Sequence, residues 1–200
     1  MPTTRTGQPA PDALLDAEVF ERGGHRTTLR PLIAGRPSVL VFLRHFGCIG
    51  CDRHVTELTP RFAELDSVGV VTVLVGNGES RYLEGFIERY RLGDRAVVLV
   101  TDPSRATFAA AGLKRSWWST FGPRAVWAAL TSFGQGYRQR SIHGDALQQG
   151  GALVLDADAR VVLHHVSEAL GDNLSGNDIV AAALGVVMRG CRQADGVGLV

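Results

Sequence analysis

Two thiols stand two residues apart in the stretch 39–51, Val-Leu-Val-Phe-Leu-Arg-His-Phe-Gly-Cys-Ile-Gly-Cys, as Cys48 and Cys51. An apolar run of strand type ends in a glycine-containing turn, and a segment of helical character follows. A strand that delivers two cysteines to the start of a helix builds a redox site. The unpaired N–H groups and partial positive charge of a helix N-terminus favour thiolate. The short spacing also lets the two sulfurs approach disulfide geometry. Cys48 is then the attacking sulfur, and Cys51, one turn in, resolves the oxidised product as an intramolecular disulfide. Arg44 and His45, just before the pair, are candidate thiolate-stabilising cations. The competing chemistries are two inert thiols or a zinc half-site. Zinc would need further ligands from His164, His165 or Cys191, and no second C-x-x-C or H-x₃-H is present, so no metal is assigned.

The elements that position this pair follow from periodicity. Residues 38–44 form the first strong strand. Beyond Cys51, Val55, Leu58, Phe62 and Leu65 recur at spacings of three and four, which is one apolar helical face with a kink at Pro60. His54 falls on that helix and is expected on its solvated face. Residues 70–75 are an unbroken β-branched run of the parallel-sheet kind, closed by Gly76-Asn77-Gly78. A helix over 79–90, a strand over 96–100 and a helix from Asp102-Pro103-Ser104 to Gly112 continue the alternation. Upstream, residues 12–20 and 26–29 suit a hairpin around Gly23-Gly24, and 29–34 a short helix. Downstream, 151–155 and 160–166 form an antiparallel hairpin, and 177–188 a closing helix. The order gives an α/β fold of thioredoxin-like plan, a mixed central sheet flanked by helices. The expected organisation is a flexible arm over 1–11, one domain over 12–188 with an insertion at 113–150, and a loose tail over 189–200.

Composition narrows the function classes. At 200 residues, with 45% hydrophobic and 20% charged residues, the chain has the make-up of one globular domain. A net charge of +1 gives no polybasic face, which argues against nucleic acid. The longest apolar runs are too short to span a bilayer, and residues 1–12 lack the apolar core of a signal peptide. A cytoplasmic protein is the expectation, and three cysteines in a reducing compartment read as redox or metal chemistry.

Four blocks in order, Arg44-His-Phe-Gly-Cys-Ile-Gly-Cys51, Gly112-Leu-Lys-Arg115, Gly144-Asp-Ala-Leu-Gln-Gln-Gly-Gly-Ala152 and Gly171-Asp172, resemble the peroxiredoxin-like 2 family. That family is a branch of the alkyl hydroperoxide reductase and thiol-specific antioxidant superfamily, and includes prostamide/prostaglandin F synthases. The opening Gly7-Gln-Pro-Ala-Pro-Asp12 resembles that of peroxiredoxins. The resemblance implies a thioredoxin-like fold and a dithiol–disulfide cycle at Cys48 and Cys51. It also implies a peroxide, endoperoxide or disulfide substrate, and a thioredoxin-type dithiol or NADPH as electron donor, with no tightly bound cofactor. The chain departs from the peroxiredoxin P-x-x-x-T-x-x-C pattern, since His45 stands three before Cys48. Gly150-Gly151 occupies the region where thioredoxins carry a cis-proline. Candidate substrate-binding residues are Phe46, Gly47, Trp117, Trp118, Gln149, Gly150 and Gly151. Cys191 is either a second resolving thiol or an incidental one. The alternatives are a non-catalytic redox-sensing or metal-binding module, and a specialised biosynthetic enzyme on the same fold. A homodimer is an assembly the chain leaves open.

Overall fold

The computed structural model describes residues 4–44, 46, 49–115, 145, 147–167 and 173–196, with backbone alone at 49–52 and 193–196. A short helix α1 (Asp12–Leu15) precedes a hairpin of β1 (Glu18–Phe20) and β2 (Arg26–Thr28). Its turn places Gly23 and Gly24 at φ of +76° and +79°, a region that disfavours residues with a Cβ. Then come α2 (Leu29–Ile33), β3 (Ser38–Phe42), α3 (Ile49–Leu58), α4 (Phe62–Ser67), β4 (Val71–Gly76), α5 (Leu83–Tyr90), β5 (Val98–Thr101) and α6 (Ala106–Ala110). The chain closes with β6 (Gly151–Leu155), β7 (Val161–Val166) and α7 (Gly176–Gly196).

The seven strands form one sheet in the order β2-β1-β5-β4-β3-β6-β7. β3 runs parallel to β4, and β4 parallel to β5, while β6 and β7 add antiparallel strands on the far side of β3. β3 is therefore interior, and both its faces are covered. Val39, Val41 and Leu43 pack toward α3, α4, α5 and α7, whereas Leu40 and Phe42 pack toward α1, α2 and α6. Burial on both sides is why β3 reads as a continuous apolar run rather than an alternating one. Val55, Leu58, Phe62 and Leu65 all enter the first of these cores, as their spacing requires. Pro60 sits in a 3₁₀ turn, Thr59–Arg61, that separates α3 from α4, because proline cannot supply the helical N–H.

Three expectations are corrected. Residues 4–11 are not a free arm. Gly7 N–H donates to the Val161 carbonyl at 2.7 Å, Val161 N–H to Gln8 at 2.9 Å and Ala10 N–H to Ala159 at 2.8 Å, so the segment lies along β7. The tail expected from 189 is helical as far as Gly196. His54 is not solvated but only 5% exposed, and the Leu174 backbone just before α7 hydrogen-bonds to it.

Burying His54 has a pH consequence. Desolvation lowers its pKa from 6.5 to about 4, against the raising effects of Glu57 and the Leu174 backbone. The unfolded chain therefore binds more protons than the folded one between these values. The stability contributed by neutral His54 is present above pH 6.5 and is lost as the pH falls toward 4. Urea unfolding should show about 2 kcal/mol less stability at pH 5 than at pH 7 from this group. A pH-independent midpoint, or an unchanged slope in His54→Leu, would contradict that assignment.

Candidate active site

The parallel arrangement brings the carboxyl ends of β3, β4 and β5 to one edge of the sheet. α3 starts at this edge. Cys51 is its third residue, and Cys48 immediately precedes its first residue, Ile49. The helix N-terminus, with its unpaired N–H groups, is thus offered to the thiol segment by β3 itself. Cys48, His45, Gly47, Trp117 and Trp118 lie outside the described residues, as does the Cys51 side chain.

The rest of the edge is built from residues distant in sequence. Arg44 is only 4% exposed, a strand-end cation drawn inside rather than left in water. Gly150 lies against it. A Cβ on Gly150 would stand 2.5 Å from the Phe42 carbonyl oxygen and 3.6 Å from Arg44 Cγ, so only glycine lets the β6 entry pass this close to the end of β3. Gly151 is held as tightly on its other side, its Cβ position 2.5 Å from the His165 carbonyl and 2.6 Å from Leu113. Gln149 is fully buried; its backbone N–H donates to Lys114 at 2.9 Å and its side-chain amide to the Leu147 carbonyl at 3.2 Å. The structure therefore brings Gly150 against the end of β3 at Phe42 and Arg44, with the buried Gln149 just before it in sequence and Gly151 the first residue of β6.

Phe46 is buried, and its ring lies directly over Gly76 at the end of β4; a Cβ there would overlap it. The ring meets Phe86 of α5 edge-on, with centroids 5.2 Å apart. Its outer side borders a small cleft of about 120 Å³ beside α5, lined also by Arg81, Tyr82, Gly85 and Arg89. The Phe46 carbonyl accepts from Arg89 Nη1 at 3.1 Å.

A polar cluster completes the edge. Asn77, directly after β4, donates from Nδ2 to the Arg44 carbonyl, and its Oδ1 accepts the Asp145 N–H at 3.0 Å. The Asp145 carboxylate takes Arg105 Nη1 at 2.8 Å, Arg115 Nε at 2.7 Å and the Leu147 N–H at 2.9 Å. Burial raises the Asp145 pKa. The Arg115 and Leu147 hydrogen bonds and the Arg115 and Arg105 charges outweigh that, and hold the carboxyl below its ordinary value. Asn77, Arg89, Arg105 and Gly76 carry no motif. The available signal was position: Gly76-Asn77 closes a strand parallel to the one carrying the thiols, and ligand sites in such sheets gather at carboxyl ends.

Cys191 is exposed on α7 and lines a surface cavity with Pro37, Gly69 and Asp158. Pro37 leads into the amino end of β3, so Cys191 and the start of α3 lie at opposite ends of that strand. Among the described residues no helix is long and apolar enough to cross a membrane.

The family model for the AhpC/TSA antioxidant enzyme matches residues 57–169, beginning just past the dithiol. The chain is 29% identical over 156 residues to the thioredoxin-like protein AAED1, chloroplastic, of Arabidopsis thaliana, covering 74% of this chain and 62% of the plant protein. It is 29% identical over 168 residues to mouse peroxiredoxin-like 2C, covering 76% and 70% of the two chains. With prostamide/prostaglandin F synthase of Pongo abelii it shares 31% identity over 155 residues, covering 74% and 76%. Among solved structures, peroxiredoxin Q of Xanthomonas campestris superposes with a TM-score of 0.65 at 18% identity, covering 91% of this chain and 98% of that one. Peroxidoxin BcpB of Mycobacterium tuberculosis gives 0.63 at 19% identity, covering 93% and 97%. Both likenesses agree with a mixed sheet flanked by helices. The chain belongs to the AhpC/TSA antioxidant-enzyme family, peroxiredoxin-like thiol-dependent oxidoreductases on a thioredoxin-like fold.

Proposed function

We propose that this protein reduces a peroxide, endoperoxide or disulfide through a dithiol–disulfide cycle at Cys48 and Cys51. The observation that carries the reading is the junction of β3 and α3: Cys48-x-x-Cys51 spans the start of a helix at the carboxyl edge of the sheet. With a peroxide, the Cys48 thiolate attacks one oxygen. The O–O bond breaks, the alcohol leaves with a proton, and Cys48 becomes a sulfenic acid. The Cys51 thiolate attacks that sulfur, an S–S bond forms, the S–O bond breaks, and water leaves. A thioredoxin-type dithiol, or NADPH delivering a hydride, returns the disulfide to two thiols. Arg44 is a thiolate-stabilising residue in this reading, with His45 beside it in sequence. Phe46, Gly47, Trp117, Trp118, Gln149, Gly150 and Gly151 form the substrate side. The enzyme works in the reducing cytoplasm.

Titrating free thiols before and after one equivalent of hydrogen peroxide tests the cycle. The expected result is the loss of two of the three thiols without an intermolecular crosslink. Retention of all three, or a crosslinked dimer, overturns it. Steady-state turnover with a panel of peroxides, an endoperoxide and small disulfides, driven by a thioredoxin system or by NADPH, identifies substrate class and donor.

A further inference from the structure

We infer that Asn77 and Arg89 are positioning residues that clamp the thiol-bearing segment by its main chain and so set the rate at which the Cys48–Cys51 disulfide closes. This rests on the dithiol reading above. Asn77 is 4% exposed and stands at the carboxyl end of β4. Its Oδ1 accepts the Asp145 N–H, which fixes which end of the carboxamide is oxygen. Its Nδ2 donates to the Arg44 carbonyl and, at 3.3 Å, to the Asp145 carbonyl. Both amide donors and one acceptor position are therefore spent on main chain from two separate loops. Arg89, from α5, holds the Phe46 carbonyl at 3.1 Å.

The carbonyls so held, at 44 and 46, bracket the path from the end of β3 toward α3. Each residue contributes only two soft torsions, so holding the carbonyls of 44 and 46 restrains the chain at the described residues that lead toward the thiols. Neither clamp touches a sulfur. Their effect falls on the step in which the Cys51 thiolate attacks the Cys48 sulfenic acid, forming S–S, breaking S–O and releasing water. That step is intramolecular, and its rate depends on how often the two sulfurs stand in attacking geometry.

The test is a rapid-mixing experiment with the full chain. Reduced protein is mixed with one equivalent of hydrogen peroxide, and disulfide closure is timed against capture of the sulfenic acid by a dione trap. Asn77→Ala should slow closure by roughly tenfold and Arg89→Met by about threefold, with more trapped sulfenic acid in each. Arg89→Lys, which keeps a donor, should recover part of the loss. A merely structural role would lower the unfolding midpoint and leave the closure-to-trapping ratio of folded protein unchanged. Closure within twofold of wild type in folded Asn77→Ala overturns the clamp. If that variant does not fold, Arg89→Met decides, since Arg89 is exposed and its loss spares the core; unchanged closure there overturns the clamp as well. Wild-type protein that forms no disulfide overturns the dithiol reading, whereas normal wild-type closure matched by the variants overturns the clamp alone.

Discussion

Cys48→Ser protein is expected to lose peroxide and disulfide reduction by a thousandfold or more, on the order expected when a thiolate nucleophile is replaced by a hydroxyl. Of the other two cysteines, Cys51 is the resolving thiol in this reading, and Cys191 lies at the other end of β3. Cys51→Ser should behave differently. Its first equivalent of peroxide is still consumed, the product is a persistent sulfenic acid at Cys48, and turnover stops for want of a resolving thiol. Mass spectrometry separates the two variants, with one added oxygen on Cys51→Ser and none on Cys48→Ser. Steady-state activity in Cys48→Ser equal to wild type would show that the reacting sulfur had been misassigned.

Gly76→Ala is expected to be the most damaging substitution that leaves every polar group in place. A methyl at this position has no room, because the Phe46 ring covers the end of β4. The ring cannot simply withdraw, being packed edge-on to Phe86, which in turn meets Tyr90 at 4.6 Å between centroids. Overpacking of this kind costs about 1–3 kcal/mol. The strain falls on a residue two positions before Cys48, so displacement of the ring carries the thiol segment with it. A shift near 1 Å is enough for a loss of roughly a hundredfold in rate. Urea unfolding and peroxide turnover measured on the same preparation check both parts. Pairing Gly76→Ala with Phe46→Leu should restore part of the stability, a coupling expected only if the two side chains compete for one space. Gly76→Ala protein with wild-type stability and activity would mean the ring is free to move.

The secondary-structure elements were legible in the residues that form them. The β-branched run of β4, the apolar face of α3 and α4, the Pro60 break and the glycine turn of the first hairpin are local properties. Each is written in the residues that form it, through backbone preferences and side-chain period. So is the start of a helix three residues before the Asp52-Arg53 step, which puts Cys51 in its first turn. Motif order added the family and, with it, the expected dithiol cycle.

What covers each face depends on contacts between distant segments. Periodicity places His54 off the apolar stripe of α3, but the folded chain buries it, and desolvation lowers its pKa while the Leu174 backbone, 120 positions later, pulls the other way. Arg44 is a polar residue at a strand end, which reads as solvent-facing until the β6 entry at Gly150 packs on its side chain. Gly76-Asn77-Gly78 reads as punctuation. Its real content, a ring over Gly76 and an amide bridging Arg44 to Asp145, exists only because β3 and β4 run parallel and end together. Residues 4–11 look like a polar arm because their hydrogen bonds are made by backbone to β7, and backbone pairing over such separations leaves no pattern in side-chain type. As a motif the thiol pair was legible, because the proposed chemistry needs a particular residue type at a particular spacing. The frame that aims them was not, because it is made of contacts between segments that sequence keeps far apart.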